Sequence, residues 1–265
     1  MRARGTPVAL ADLAREILAV EAEIDPRLAR RVVAAALGRP PGTLPDQIDA
    51  RHVRPAPECA VGDAPLAQAH FVVVDLETTG LSPEQASILE IGAVRVARLA
   101  AGREFQTLVR PPAPLSRAIA DLTGIDDAMV ADAPPPKDAL RAFHRWFGRG
   151  GAAPFVAHNA RFDAGFVARA LERHGLPPLR VPVLCTQRLA RRLLPEVGRF
   201  NLDSLCAHCG IGNRARHRAL GDARATAALF VELLAIAQER EGVATVGELL
   251  DLQTRPTPRR KRRRR

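Results

Sequence analysis

The chain has 265 residues, of which 47% are hydrophobic and 26% are charged. This composition supports a packed core and excludes a wholly disordered chain, and four cysteines are too few for a disulfide-stapled scaffold. The formal net charge is +10, but residues 255–265 contribute eight cations and no acid, so the rest of the chain sums to +2. A polycationic end predicts a polyanionic partner such as a nucleic acid. With no membrane-length apolar run and no secretory signal, the expected location is cytoplasmic.

Residues 1–65 are predicted to form a helical hairpin followed by a Pro-rich linker. Thr6-Pro7 and Asp25-Pro26 each combine a helix N-cap with a first-turn proline, and an apolar stripe at helical spacing follows both. Between Arg39 and Pro65 there are six prolines and little apolar periodicity, which is typical of a linker.

Residues 66–240 are predicted to form a mixed α/β domain, with 241–265 as a C-terminal extension that ends in the polybasic tail. Three strands come first, and they lie too close in sequence for crossover helices, which predicts an antiparallel meander. Helices and strands then alternate, which predicts a mixed sheet flanked by helices. The predicted strands are 71–74, 88–96, 105–109, 154–157 and 181–184, and the main predicted helices are 115–122, 137–147, 160–174, 202–209 and 220–239.

An acidic motif, Asp75-Leu76-Glu77-Thr78-Thr79-Gly80, ends the first buried strand of this domain. Side chains alternate along a strand, so Asp75 and Glu77 project to the same side. Two carboxylates at the end of an apolar strand are costly unless a cation binds between them, and hard divalent cations prefer such oxygens. The alternative is an ordinary polar strand end with solvated acids.

Two further clusters begin later helices. Asp163, in the segment His158-Asn159-Ala160-Arg161-Phe162-Asp163, is predicted to lie in the first turn of a helix, where any acid is favoured by the helix dipole. His217 and Asp222 are five residues apart and would lie about 140° apart on a continuous helix. We therefore expect His217 in the preceding loop and Asp222 in the first turn.

In this order, DLETTG, HNARFD and HRALGD resemble the three motifs of the DEDDh family of 3′→5′ exonucleases, in particular the proofreading (epsilon) subunit of bacterial DNA polymerase III. The resemblance extends over residues 69–238 and includes the connecting segments 122–125 and 200–206. It implies a ribonuclease H-like fold. A sister subfamily that uses tyrosine in the last motif is excluded, because the chain has no tyrosine.

The resemblance also implies roles for individual residues and a cofactor. His217 matches the general base, and two divalent cations, Mg²⁺ or Mn²⁺, are implied. The four acids that match the metal site are Asp75, Glu77, Asp163 and Asp222. The residues that fall where relatives contact the terminal nucleotide or line the site are Leu76, Thr78, Asn159 and Phe162.

The implied function is metal-dependent hydrolysis of single-stranded or frayed DNA 3′ ends to nucleoside 5′-monophosphates, in proofreading or repair. Two alternatives stay open: an exoribonuclease that trims RNA 3′ ends, and a non-catalytic nucleic-acid-binding adaptor. The N-terminal hairpin departs from the proofreading subunit and is a candidate docking module for a DNA polymerase subunit or a repair protein, and no membrane partner is expected. Cys206-Ala207-His208-Cys209 lacks the two further ligands of a closed zinc site.

Deleting residues 255–265 is expected to weaken nucleic-acid binding while leaving turnover intact, because the tail would act as a tether. If its eight cations all contact single-stranded phosphates, at about 0.7 per contact, the slope of log affinity against log salt concentration would lose at most about 5–6 units. Oligonucleotide binding across a salt series measures this slope, and an identical slope for the truncated chain would refute the tether.

Overall fold

The computed structural model describes residues 7–9, 26, 47–49, 59–149, 151–212 and 217–255. It separates into two compact units, Met1–Ala60 and Val61–Arg265. In the first unit, strands β1 (Pro7–Ala9) and β2 (Gln47–Asp49) pair antiparallel, with β-branched Val8 opposite Ile48. The helix predicted to begin at Pro7 therefore does not begin there. The rest of the predicted hairpin and most of the linker lie outside the described residues, as does the tail from 256.

The second unit is built on a five-stranded sheet in the order β5-β4-β3-β6-β7. Strands β3, β4 and β5 form the predicted antiparallel meander, while β6 and β7 run parallel to β3. The predicted mixed sheet is thus confirmed. The strands are β3 (His70–Thr78), β4 (Ile88–Ala97), β5 (Ala100–Leu108), β6 (Phe155–Ala157) and β7 (Val183–Cys185).

Helices cover both faces of this sheet. Several begin with side-chain caps: Asn201 accepts the Ser204 backbone N–H, and Thr245 forms a capping box with Glu248. No helix in the described part of the chain is long and apolar enough to cross a membrane. The helices are α1 (Cys59–Gly62), α2 (Arg117–Thr123), α3 (Asp127–Val130), α4 (Pro136–Gly148), α5 (Arg161–Arg173), α6 (Thr186–Leu193), α7 (Leu202–His208), α8 (Ala219–Glu241) and α9 (Val246–Thr254).

The two faces of β3 enter two different cores. Phe71 and Val73 pack with α6, α8 and α9, and the Phe71 ring meets the Phe230 ring of α8 edge-on at 5.0 Å between centroids. Val72 and Val74 pack with α4 and α5 on the opposite face. Because side chains alternate along a strand, Asp75 and Glu77 lie on the same face as Phe71 and Val73, which is the face that α8 covers.

Helix α9 lies beyond the domain end predicted at residue 240, yet it packs into the same core. Val246, Leu249 and Leu252 are fully buried. Gln253 also contacts the edge strand β7, where its amide donates to the Val183 carbonyl oxygen at 2.8 Å and accepts the Cys185 backbone N–H at 3.0 Å. The compact unit that carries the acidic motif therefore includes residues up to the end of α9.

A close approach between β4 and the start of α8 depends on Gly92, which pairs with Asp75 across the sheet. A Cβ atom at position 92 would lie 2.2 Å from the Ala219 carbonyl carbon and 2.3 Å from the Leu220 nitrogen. Only glycine lets these two backbones touch, and the contact sets the position of the first turn of α8 against the sheet.

The variant Gly92→Ala is expected to lose about 1–3 kcal/mol of unfolding free energy, because the added methyl group forces the α8 backbone away from β4. Chemical denaturation measures the loss. Gly165→Ala in α5 is the matched control: its Cβ would meet nothing within 4 Å, and alanine there should add about 0.5–1 kcal/mol. A Gly92→Ala chain that unfolds at the wild-type denaturant concentration would contradict the close approach.

Candidate active site

An acidic group gathers at the carboxyl end of β3. Asp75 and Glu77 project from β3 towards α8, and the first turn of α8 supplies Asp222. One carboxylate oxygen from each of the three lies within 4.8 Å of the others, and all three residues are partly exposed. Across residues 59–149, 151–212 and 217–255 this is the group of side chains whose spacing suits a metal ion. The Cys206–Cys209 segment forms no such group there.

Asp163 approaches the same place from the other side of the sheet. It lies in the first turn of α5 and is only 3% exposed. Its carboxylate accepts backbone N–H groups of Leu76 and of Asp163 itself, which ties the start of α5 to β3. Asp163 is not part of the 4.8 Å group, but among the neighbouring acids its charge contributes most to the raised pKa of Asp75. The structure thus brings all four predicted acids to one end of β3.

Burial and mutual repulsion raise the pKa values of Asp75, Glu77 and Asp163. Burial is the largest cause in each case: it raises the pKa of Asp75 well above its ordinary value, that of Asp163 to about 8 and that of Glu77 to about 7. The charge of Asp222 raises the pKa of Glu77 further, while Arg218 opposes the rise. Crowded hard oxygens with this excess of negative charge fit a divalent cation, and the site supports divalent-metal dependence.

His217 lies in the turn before α8, as the spacing predicts. Its backbone is left-handed, with φ of 57°, and its backbone N–H donates to Asp222 Oδ2 at 3.1 Å. The residue is exposed. This hydrogen bond holds His217 next to the acidic group, where its imidazole is open to solvent.

The four residues predicted to contact substrate differ in accessibility. The Leu76 side chain is 6% exposed and packs in the core beside α5, so its contact with the site is the backbone N–H that Asp163 accepts. The Thr78 hydroxyl donates to a backbone carbonyl two residues on, at 2.7 Å. Asn159 is exposed with φ of 61°, and the half-buried Phe162 ring packs on a second phenylalanine of α5. Asn159 therefore offers the most accessible of these four side chains.

His158 is a half-buried residue that links three elements beneath the site. Its Nε2 lies 3.0 Å from the Phe200 carbonyl oxygen, and its Nδ1 lies 2.9 Å from Thr186 Oγ1. A carbonyl can only accept, so we assign the proton to Nε2, and Nδ1 accepts the threonine hydroxyl. Burial lowers the pKa of His158 and favours this neutral form. The ring joins the end of β6 to the start of α6 and to the loop before α7.

Glu90 was not among the residues singled out from the sequence. It lies on β4 opposite Glu77 and is fully buried, yet its carboxylate accepts hydrogen bonds from the side chains of Gln106 and Arg218 and from the Ala219 backbone N–H. Burial alone would raise the pKa of Glu90, but these bonds hold it below its ordinary value. The available signal was a single acid between apolar neighbours in the predicted strand 88–96.

Residues 72–230, more than half of the chain, match the family model described as Exonuclease. The chain belongs to this exonuclease family. DNA polymerase III PolC-type from Oceanobacillus iheyensis is 41% identical over 179 residues, which cover 68% of this chain and 12% of that protein. The corresponding protein of Caldanaerobacter subterraneus subsp. tengcongensis is 40% identical over 182 residues, which cover 69% of this chain and 13% of that protein. The exonuclease chain spans only about an eighth of the length of these relatives.

Solved structures share the fold. Exonuclease X in complex with 5′ overhanging duplex DNA is 30% identical, with a TM-score of 0.54 over 69% of this chain and 99% of that one. The nuclease domain of 3′hExo, a DEDDh family member bound to rAMP, is 22% identical, with a TM-score of 0.57 over 65% of this chain and 94% of that one. The predicted membership of the DEDDh 3′→5′ exonucleases and the ribonuclease H-like fold are confirmed.

The raised pKa values predict how stability varies with pH when metal is removed. An acid whose pKa is higher in the folded state stabilises the fold fully below its unfolded value and loses that stabilisation as pH rises to the folded value. For Asp163 the loss runs from about pH 4 to about pH 8. In EDTA, Asp163→Asn should therefore gain at least about 1 kcal/mol, or about 2–4 °C in Tm, at pH 8 relative to pH 5.

Thermal unfolding of the wild-type chain, Asp163→Asn and the exposed control Asp132→Asn at both pH values measures this gain. Asp132→Asn should follow the wild type at each pH. Added Mg²⁺ should stabilise the wild type more at pH 8 than at pH 5, because protons and cations compete for the same oxygens. Parallel pH profiles for wild type and Asp163→Asn would contradict the raised pKa.

Proposed function

We propose that this exonuclease removes nucleotides from the 3′ ends of single-stranded or frayed DNA as nucleoside 5′-monophosphates, in proofreading or repair. The observation that carries the proposal is the group of carboxylate oxygens from Asp75, Glu77 and Asp222, which lie within 4.8 Å of one another. The His217 backbone N–H is hydrogen-bonded to Asp222 in this group. Asp163 completes the set that would hold two divalent cations, Mg²⁺ or Mn²⁺.

The residues divide the chemistry between them. The four carboxylates would hold the cations and offset their charge, and the cations would supply activation of a water molecule and neutralisation of charge on the leaving oxygen. His217 is exposed beside Asp222 and accepts the proton of the attacking water, the general-base role that histidine fills most often. Thr78, Asn159 and Phe162 orient the terminal nucleotide at the same edge of the sheet, and Leu76 contributes through its backbone.

DNA as the substrate is supported by relatives. Exonuclease X, at 30% identity, was solved with 5′ overhanging duplex DNA, and the most similar curated proteins reported above are DNA polymerases. The same relatives support a cytoplasmic role beside a DNA polymerase or in repair. The N-terminal segment 1–65 and the tail 255–265 would supply contacts to the partner protein and to the DNA, respectively.

Digestion of matched 3′-labelled DNA and RNA single strands tests the proposal. We expect labelled mononucleotide to appear first, faster from DNA than from RNA, with Mg²⁺ or Mn²⁺ and not with EDTA. Asp75→Asn and Asp222→Asn should reduce turnover to below about 5%, since each removes charge that holds a cation. Asp132→Asn, an exposed acid far along the sequence from the motifs, should retain wild-type turnover.

Each alternative has its own outcome in this assay. Faster trimming of RNA would assign the chain to RNA processing. Binding without release from either strand would identify a non-catalytic adaptor. Turnover well above a few per cent in a folded Asp75→Asn or Asp222→Asn chain would overturn the metal-site assignment.

A further inference from the structure

Two sets of hydrogen bonds hold His217 and the start of α8. On one side, the His217 backbone N–H donates to Asp222 Oδ2 at 3.1 Å. On the other, Arg218 Nε and an Arg218 terminal nitrogen donate to Glu90 at 3.1 and 2.9 Å, and the Ala219 backbone N–H donates to Glu90 Oε2 at 3.0 Å. The His217 backbone is left-handed, a conformation that costs energy for any residue other than glycine. These hydrogen bonds fix it between α8 and β4.

Glu90 holds this turn, and its charge also adds to the raised pKa values of Asp75 and Glu77. It is fully buried beneath Arg218, whose side chain is 36% exposed, and it pairs across the sheet with Glu77. Gln106 Nε2 donates to Glu90 Oε1 at 2.6 Å and orients the carboxylate from β5. A buried carboxylate that receives four hydrogen bonds, two of them from one guanidinium, is a rigid anchor rather than a group poised to bind a ligand.

We propose that Glu90 is a positioning residue, which fixes His217 over the metal-binding acids by anchoring Arg218 and the first backbone N–H of α8. This inference rests on the proposed function, since it assigns Glu90 to the nuclease reaction. Glu90 acts through the turn and touches neither the substrate nor the reacting atoms. Loss of the anchor lets the imidazole leave the position from which it accepts the proton.

A double-mutant cycle between Glu90→Gln and His217→Ala tests the proposal. In the otherwise wild-type chain, Glu90→Gln should lower kcat about 10–100-fold and change KM less than about twofold, because the substitution weakens the hydrogen bonds that orient a reacting group and leaves substrate contacts in place. In the His217→Ala chain the same substitution should cost less than about threefold, because the group it positions is already missing. Single-turnover release of 3′-labelled mononucleotide measures the slow rates that are expected in both backgrounds.

Glu104→Gln is the matched control. Glu104 on β5 also receives two hydrogen bonds from an arginine of α8, Arg224, at 2.8 and 2.6 Å, but among the described residues neither of the two is hydrogen-bonded to His217, Arg218 or Ala219. Breaking it should leave kcat unchanged. If Glu90→Gln fails to fold, Arg218→Lys replaces it, since lysine keeps the charge and loses the two-pronged contact.

The outcomes separate this inference from the proposed function. Equal losses from Glu90→Gln in both backgrounds, or an equal loss from Glu104→Gln, would overturn the positioning role and leave the nuclease assignment standing. A His217→Ala chain with wild-type turnover would overturn the general base itself, and the inference with it.

Discussion

Repulsion among carboxylates at the end of β3 is the constraint on which the site depends. Asp75, Glu77 and Asp222 are held close by elements whose apolar faces are fully buried, so the sheet and α8 hold together charges that would otherwise separate. Burial raises the pKa of Asp75 and of Asp163, and for Asp163 the two backbone N–H groups that it accepts oppose the rise only in part. Packing energy elsewhere thus maintains an arrangement that is unfavourable without a cation.

Glu90 shows the opposite solution to burying an acid, one strand away. Its charge is matched by Arg218, Gln106 and a backbone N–H, so the pKa of Glu90 falls although the side chain has no exposure. Glu77 and Glu90 are neighbours across the sheet, and these two identical side chains have different surroundings. Glu77 is partly exposed with an oxygen close to those of Asp75 and Asp222, whereas Glu90 uses its oxygens to hold the start of α8.

Much of the nuclease unit could be predicted from local sequence patterns. The strand alternation placed Asp75 and Glu77 on one side, and the helix period placed His217 outside α8, because both features depend on neighbouring residues. The contact between Glu90 and Arg218 joins residues 128 positions apart, so no local pattern reveals it. Helix α9 was missed because no local pattern shows the core that its apolar residues enter. The strand that contains Pro7 was missed because its partner strand lies about 40 residues further along the chain.

The contact of Gln253 with β7 covers part of an edge of the sheet. An edge strand exposes unpaired backbone groups to which another chain can add, and β7 is an edge of the sheet. The Gln253 amide pairs with the Val183 carbonyl and the Cys185 N–H, so one side chain imitates the next strand. Helix α9 thus does more than bury apolar surface: it closes an aggregation-prone border, and a nuclease unit cut off after α8 would expose that border to its own copies.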